Sequence, residues 1–297
     1  MEVSTRIQLQ IQHCKDETAF ADLCKKHDLS PEQIEMLRKT WVKKTKISSS
    51  KVSQTVHKQF DIYEQYIRYL LKSMGEETKD AIDTNILTTW TRLNIRMTDK
   101  MDSNYGLVVG RIQCGKTAHM LGLGLKALQG DEIGDGYDTV IILSGTIEDL
   151  RLQTMERLEE IGYLDEQIRC LPKQRDLTYD DDALTEIREH LRRPKSGKMV
   201  IVIKKNVDVL DRLNGIFSQK SIRHGLRKRK VMIIDDECDY ASMDGNNAED
   251  FDGTPKPHEI TATNKAIRKM LIHLRKSLSP TWYIGYTATP YANVLMQ

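Results

Sequence analysis

Residues 106–117 have the sequence GLVVGRIQCGKT, and this stretch decides the fold. An apolar segment at 106–109 is predicted to be a strand, and residues 118–129 are predicted to be a helix. A strand, a glycine-rich loop and a helix in this order are what a nucleoside triphosphate site requires, whereas a glycine-rich turn that only caps a helix is the alternative. The pattern G-x-x-x-x-G-K-[ST] is matched by Gly110, Arg111, Ile112, Gln113, Cys114, Gly115, Lys116 and Thr117.

Each part of this phosphate loop has an expected role. Its glycines lack a Cβ, so backbone N–H groups can turn toward a β-phosphate, and the N-terminus of the helix adds a partial positive charge. Lys116 is expected to reach the β- and γ-phosphates, and the Thr117 hydroxyl is expected to ligate Mg²⁺. The predicted cofactors are therefore ATP and Mg²⁺.

A second motif follows a predicted buried strand, where residues 231–239 have the sequence VMIIDDECD. Carboxylates at the C-terminal end of a parallel strand can face the phosphates with magnesium between them. The D-E-x-D pattern assigns Asp236 to Mg²⁺ and Glu237 to the attacking water. Asp235 is the alternative if the register differs by one residue, and a solvated acidic turn is the alternative without chemistry.

From about residue 105, short apolar runs alternate with helix-like segments. This pattern predicts an α/β fold with a parallel sheet covered on both faces and ligands at the C-terminal ends of the strands. Gly122 and Gly124 are expected to allow close packing of a helix on the sheet. Residues 1–100 have helical spacing instead, so we predict an α-helical N-terminal region at 1–100 and an ATP-binding domain at 101–297. The runs are 105–109, 140–143, 199–203, 231–234 and 282–286.

Composition excludes several classes of protein. The 39% hydrophobic and 30% charged residues are typical of a globular chain, and the net charge of +2 means that any nucleic-acid surface must be local. The sequence has no apolar run long enough for a bilayer and no signal-peptide segment, which predicts a cytoplasmic protein without a membrane partner. Five cysteines without a CxxC pair indicate neither a disulfide framework nor a zinc site.

The motifs together resemble a known family. The phosphate loop, the D-E-x-D box and the TATP sequence at 287–290 resemble the first RecA-like lobe of superfamily-two helicases. Longer strings resemble the Z-one type endonuclease domain family of bacterial restriction and phage-defence proteins, over residues 105–297. Cys114 and Tyr240 depart from the expected serine and glutamine, but neither side chain is essential to the phosphate cradle. The strings are GLVVGRIQCGKTAHMLGLGLKAL, VIILSGTIEDLRLQT, VIVIKKN, VMIIDDECDYAS and YIGYTATPYANVL.

The resemblance implies a RecA-like P-loop NTPase lobe that hydrolyses ATP, with Lys116 and Glu237 as its catalytic groups. Thr287 and Thr289 would link the ATP state to contact with nucleic acid, DNA rather than RNA. Superfamily-two enzymes use a second RecA-like lobe that brings arginines to the γ-phosphate, and this sequence ends at Gln297. We therefore expect a second lobe or a partner to supply the arginine, and the isolated chain to hydrolyse ATP weakly.

Loops after two predicted strands are candidates for nucleic-acid contact. Thr146 and Arg151 follow one strand and Lys205 follows another, at the ligand-facing edge of the sheet, where hydroxyls and cations suit contact with phosphates. The alternative is that Thr146 caps a helix and the lysine is solvated. The basic run at 227–230 precedes the acidic strand, and a solvated face is predicted for it.

Two other functions compete with a helicase-like NTPase. A metal-dependent nuclease would need a second acidic cluster, for which the loop acids Asp244, Glu249, Asp250 and Asp252 are the candidates. A regulatory ATP-binding module would instead use the helical N-terminal region to bind a partner.

Overall fold

The computed structural model separates the chain into two compact units, residues 1–59 and 60–297. The residues that it describes are 17–27, 29–31, 33–35, 37–38, 62–95, 104–110, 115–131, 136–161, 168–193, 197–227, 229–238 and 261–288. In the first unit, a helix at Glu17–Lys26 (α1) contributes Phe20 and Cys24 to a small apolar cluster with Leu37. The second unit contains the sheet.

One sheet of six strands forms the centre of the second unit, and every pair of neighbouring strands is parallel. The strands are β1 (Asn104–Val109), β2 (Thr139–Ser144), β3 (Ile168–Leu171), β4 (Lys198–Lys204), β5 (Val231–Asp235) and β6 (Thr281–Thr287). Their order across the sheet is β1-β6-β5-β2-β4-β3. The predicted α/β class with a parallel sheet is confirmed. The sequence pattern missed β3, since Arg169 interrupts a run of only four residues.

Helices connect the strands and lie on both faces of the sheet. In chain order they are α2 (Ile62–Met74), α3 (Glu76–Ile95), α4 (Lys116–Gln129), α5 (Glu148–Glu160), α6 (Asp181–Arg192), α7 (Val207–Phe217), α8 (Lys220–Leu226) and α9 (Ala262–Lys276). Alternate residues of β2 point to opposite faces, as the period of two requires. Val140 and Ile142 pack in one core with α4, whereas Ile141 and Leu143 pack in another with α7 and α9.

The helices α2 and α3 belong to the same core as α4, because Tyr66, Ile86 and Trp90 are buried in it. A Cβ on Gly122 would lie 2.6 Å from Cε1 of Tyr66, so the absence of a side chain at this glycine allows α2 and α3, rather than the sheet, to pack closely on α4. A Cβ on Gly124 would lie 3.4 Å from both Ile234 and Val140 of the sheet. The expectation that both glycines pack on the sheet is therefore wrong for Gly122. The helices predicted within 1–100 are shared between the two compact units.

None of the helices in the described part of the chain combines the length and the apolar character needed to cross a membrane.

Candidate nucleotide site

The two ends of the predicted phosphate loop lie at the C-terminal edge of the sheet. The Gly110 N–H donates to the carbonyl of Thr287 at 3.0 Å, which continues the pairing of β1 with β6 by one residue. A Cβ on Gly110 would lie 2.7 Å from Cγ of Lys116, so a side chain there would displace the lysine. Gly115 has φ 72°, a left-handed conformation that favours glycine. Arg111, Ile112, Gln113 and Cys114 lie outside the described residues.

The helix α4 begins at Lys116 with Gly115 as its N-cap, and no side chain accepts a hydrogen bond at this cap. Its first turn contains no acidic residue. The first backbone N–H groups of a helix carry a partial positive charge, so this end suits an anion. Lys116 and Thr117 are half-buried there.

The strand carrying the acidic motif is separated from β1 by one strand. Since β6 lies between β1 and β5, the ends of β1 and β5 are about 10 Å apart at the usual strand spacing. The register pairs Val109 with Thr287 and Asp235 with Gly285. Gly110, where the glycine-rich turn begins, and the acidic turn after β5 thus lie at the same edge of the sheet.

Asp236 and Glu237 form the turn after β5, where Asp236 is half-buried and Glu237 is exposed. The Asp236 N–H donates to the carbonyl of Leu143 at 3.0 Å. Burial, together with the charge of Glu237, raises the pKa of the Asp236 carboxyl, and the charges of Lys116 and Lys205 oppose that rise. Lys116 of the loop and Asp236 of the acidic turn therefore interact electrostatically, and a cation bound here would relieve the repulsion between the two carboxylates.

The preceding acid, Asp235, has a different environment. It is fully buried, with Oδ1 at 3.1 Å from Nζ of Lys205, and its Oδ2 accepts the hydroxyl hydrogen of Tyr283. The alternative register, with Asp235 as the magnesium ligand, gains no support from these contacts, because both of its carboxylate oxygens are engaged inside the protein.

Lys205 follows β4, and its side chain is fully buried. Its ammonium donates to the carbonyls of Asp236 at 2.6 Å and Glu237 at 2.7 Å, as well as pairing with Asp235. Neither a solvated lysine nor a nucleic-acid contact describes this position, because an enclosed ammonium reaches neither water nor a phosphate backbone. The local sequence does not indicate which of the two adjacent lysines at 204 and 205 is buried.

Arg151 on α5 is also fully buried. Its guanidinium donates to Oε1 of Glu148 at 2.7 Å and to the carbonyl of Pro172 at 2.8 Å, which ties α5 to the segment after β3. Its predicted contact with nucleic acid gains no support from this position. Thr146 is half-buried and is not the helix cap, since the N-cap of α5 is Ile147; its contact with nucleic acid stays a prediction.

The basic run before β5 is not uniformly solvated. Arg229 is 1% exposed, and its guanidinium lies 3.1 Å from Nε2 of His190 and donates to the His190 carbonyl at 2.7 Å. It also donates to the carbonyl of Arg193. The prediction of a solvated face is therefore wrong for Arg229, which joins the end of α6 to the start of β5.

Thr287 ends β6 and is fully buried, with its carbonyl bonded to the Gly110 N–H as described above. The strand that leads into the TATP sequence is thus hydrogen-bonded to the phosphate loop itself. Thr289 lies outside the described residues, and the coupling role of both threonines stays a prediction.

Sequence patterns gave no sign of a buried polar contact beside the loop. The hydroxyl of Tyr286 lies 2.9 Å from Nδ1 of His119, in the first turn of α4, and both side chains are buried. Burial lowers the pKa of His119, although the carbonyl of Asn85 opposes the change. Burial therefore favours the neutral form of His119. A lone histidine in a sequence does not indicate such a contact.

These residues fit ATP and Mg²⁺. Magnesium prefers octahedral oxygen ligation and in phosphate-transfer sites takes only one or two protein ligands, which Thr117 and Asp236 suit. Within the described residues, no three His, Cys, Asp or Glu side chains are grouped so as to hold a metal ion. Asp244, Glu249, Asp250 and Asp252, the acids of the nuclease alternative, lie outside those residues.

Comparison with protein-family models finds no family that matches this chain, and a search of the curated proteins finds no match.

Proposed function

We propose that this chain is the ATP-binding lobe of a helicase-like, nucleic-acid-dependent NTPase from a bacterial restriction or phage-defence protein. The observation that carries the proposal is the meeting of two motifs at one sheet edge. The loop lysine, Lys116, and the carboxylate of Asp236 lie close enough for their charges to interact. A P-loop sequence on an unrelated fold would have no reason to be opposed by an acidic turn across one intervening strand.

In the proposed site, the backbone at Gly110 and Gly115 and the N-terminus of α4 bind the phosphates. Lys116 would reach the β- and γ-phosphates, while Thr117 and Asp236 would hold Mg²⁺. Magnesium, when bound, neutralises charge on the phosphate oxygens. Glu237 orients the water that attacks the γ-phosphate in line and accepts its proton.

The backbone at Glu237 supports its role as the reacting acid. Its φ is 52°, in the left-handed region that residues other than glycine seldom adopt. Such conformations cost energy and are concentrated at functional sites. In this conformation Glu237 is exposed. Its Oε2 lies close to Gly145, 3.8 Å from where a Cβ on that glycine would be.

Coupling to nucleic acid is the less direct part of the proposal. The hydrogen bond from Gly110 to Thr287 supports it, because a change in the position of the phosphate loop would displace the end of β6. DNA is the proposed nucleic acid, with a contact from Thr146, and Thr287 and Thr289 would link the ATP state to that contact. The arginine that stabilises the transition state would come from a second RecA-like lobe or a partner.

The test is ATP hydrolysis with Mg²⁺, measured with and without DNA or RNA, for the wild type, Lys116→Ala and Glu237→Gln. We expect Lys116→Ala to lose nucleotide binding, and Glu237→Gln to bind ATP but not hydrolyse it. Hydrolysis that no nucleic acid stimulates would favour the regulatory module. Plasmid cleavage that survives Lys116→Ala would favour the nuclease.

A further inference from the structure

The end of β4 places one buried ammonium against three consecutive residues of the acidic motif. Nζ of Lys205 is 3.1 Å from Oδ1 of Asp235, 2.6 Å from the carbonyl of Asp236 and 2.7 Å from the carbonyl of Glu237. The side chains of both Lys205 and Asp235 are 0% exposed. This lysine thus contacts the last residue of β5 and the whole acidic turn.

The backbone of Lys205 is hydrogen-bonded to the end of β2. Its N–H donates to the carbonyls of Ser144 at 3.2 Å and Gly145 at 3.0 Å, at the end of β2. The N–H of Asp236 donates to Leu143, also in β2. The C-terminal ends of β2, β4 and β5 are therefore held together around one ammonium.

A buried lysine is costly unless its charge is paired and its hydrogens are bonded. Lys205 meets both conditions only with the turn in its present form, because two of its acceptors are the carbonyls of Asp236 and Glu237. That turn includes the left-handed backbone of Glu237, with φ 52°. Removal of the ammonium would leave both carbonyls and the Asp235 carboxylate without this donor, and the strained turn without one of the contacts that restrain it.

We infer that Lys205 is a positioning residue, which holds Asp236 and Glu237 in the orientation that receives Mg²⁺ and the attacking water. The inference rests on the proposed nucleotide site. It replaces the expected nucleic-acid contact of Lys205 with a role inside the protein. Tyr283 also supports the acidic motif, since its hydroxyl donates to Asp235, but its expected effect is smaller because a neutral hydroxyl donates a single hydrogen bond.

A lysine that merely stabilises the fold would make a different prediction from one that positions the turn. Loss of a purely structural lysine lowers the unfolding temperature but leaves the Mg²⁺ requirement of the folded fraction unchanged. Loss of a positioning lysine weakens the Mg²⁺-dependent part of nucleotide binding and spares the part made by the phosphate loop. The two roles are separated by a titration with Mg²⁺.

The experiment uses the whole chain and a fluorescent ATP analogue, whose binding is measured in EDTA and across a Mg²⁺ titration. The variants are Lys205→Met, Tyr283→Phe and Lys116→Ala. The matched control is Lys204→Met, because Lys204 is adjacent but only partly buried and pairs with Asp176 at 2.5 Å. Circular dichroism and thermal unfolding report whether each variant is folded.

For Lys205→Met, we expect analogue binding in EDTA close to that of the wild type, and a Mg²⁺ concentration at half-saturation that rises by about tenfold or more, as for the loss of charge-assisted hydrogen bonds. Tyr283→Phe should shift it in the same direction by a smaller factor, and Lys204→Met should leave it unchanged. An unchanged Mg²⁺ requirement in folded Lys205→Met overturns the inference. If Lys205→Met does not fold, Tyr283→Phe decides, and no shift in that variant overturns it.

Failure of the nucleotide site itself would look different. If the wild type binds no analogue and Lys116→Ala behaves identically, the proposed function fails and the inference about Lys205 fails with it. If the wild type binds and Lys116→Ala does not, the proposed function stands and the Mg²⁺ titration alone decides the role of Lys205.

Discussion

The hydroxyl of Tyr286 and Nδ1 of His119 are 2.9 Å apart in the interior of the protein. Tyr286 lies on β6, next to the strand end that accepts the Gly110 N–H, and His119 is the third residue after Lys116. The other ring nitrogen of His119 is 3.3 Å from Oγ1 of Thr89 on α3. A line of polar contacts therefore joins the sheet, the helix after the phosphate loop and the helical pair packed on it.

Tyr286→Phe should destabilise the protein. The change removes the hydroxyl that pairs with buried His119, and leaving a buried polar group without its partner costs about 1–3 kcal/mol. Urea unfolding followed by circular dichroism measures the loss. Tyr179→Phe is the control, because Tyr179 is 72% exposed, and it should change the free energy of unfolding very little. Equal effects of the two changes would contradict a structural role for the contact.

The lowered pKa of His119 predicts how stability depends on pH. Because burial lowers the pKa in the folded state, the unfolded chain binds the proton more readily once the pH falls below the ordinary value of about 6.5. The contribution of His119 to the free energy of unfolding is therefore fully present above that pH. It decreases as the pH falls below it, until the folded-state pKa of His119 is reached. His273, also with a lowered pKa, contributes in the same direction.

The check is the thermal midpoint of the wild type and of His119→Gln between pH 7.5 and 5.5, a window on either side of the unfolded-state pKa. The wild-type midpoint should fall by more than that of the variant, because the variant lacks one of the residues that gain a proton on unfolding. Parallel curves for the two proteins would show that His119 does not contribute.

Gly122→Ala should destabilise the contact between α4 and the helical pair. The new Cβ would lie 2.6 Å from a ring carbon of Tyr66, and overpacking of this kind costs about 1–3 kcal/mol. Gly215→Ala is the matched control, since Gly215 is an exposed residue of α7 with no atom within 4 Å of the new Cβ. That control should instead stabilise the protein by about 0.5–1 kcal/mol, through helix propensity. Chemical denaturation of both variants gives the two signs.

Glu237→Gln should lower the rate of ATP hydrolysis by about 10²–10⁴-fold, the usual contribution of a general base, while ATP binding stays within a small factor of the wild type. The amide keeps the size of the side chain but cannot accept the proton of the attacking water. Glu156→Gln, an exposed position on α5, is the control and should hydrolyse ATP like the wild type. A Glu237→Gln variant that hydrolyses at the wild-type rate would remove Glu237 from the proposed chemistry.

Five of the six strands were predictable from local pattern, because each contains a nearly continuous apolar run. Four of them are largely buried, whereas β1 at the edge of the sheet exposes alternate residues. β3 was not predictable, since it has four residues and its Arg169 is exposed. The site was predictable at its two motifs, where glycines and carboxylates follow strands directly. The contact of His119 with Tyr286 was not, because these residues are 167 positions apart and only strand order brings them together.

The sequence by itself determined the parallel α/β fold and the candidate nucleotide motifs. Hydrophobic periodicity, runs of β-branched residues and the positions of glycines are properties of a few neighbouring residues, and they can be read without the tertiary structure. Tertiary structure alone decided which cations are buried. Local sequence does not indicate burial of Lys205, Arg151 or Arg229, yet all three are enclosed by protein. A charged side chain becomes buried only where carbonyls and carboxylates from distant segments converge on it, and that convergence is set by strand order and not by local sequence.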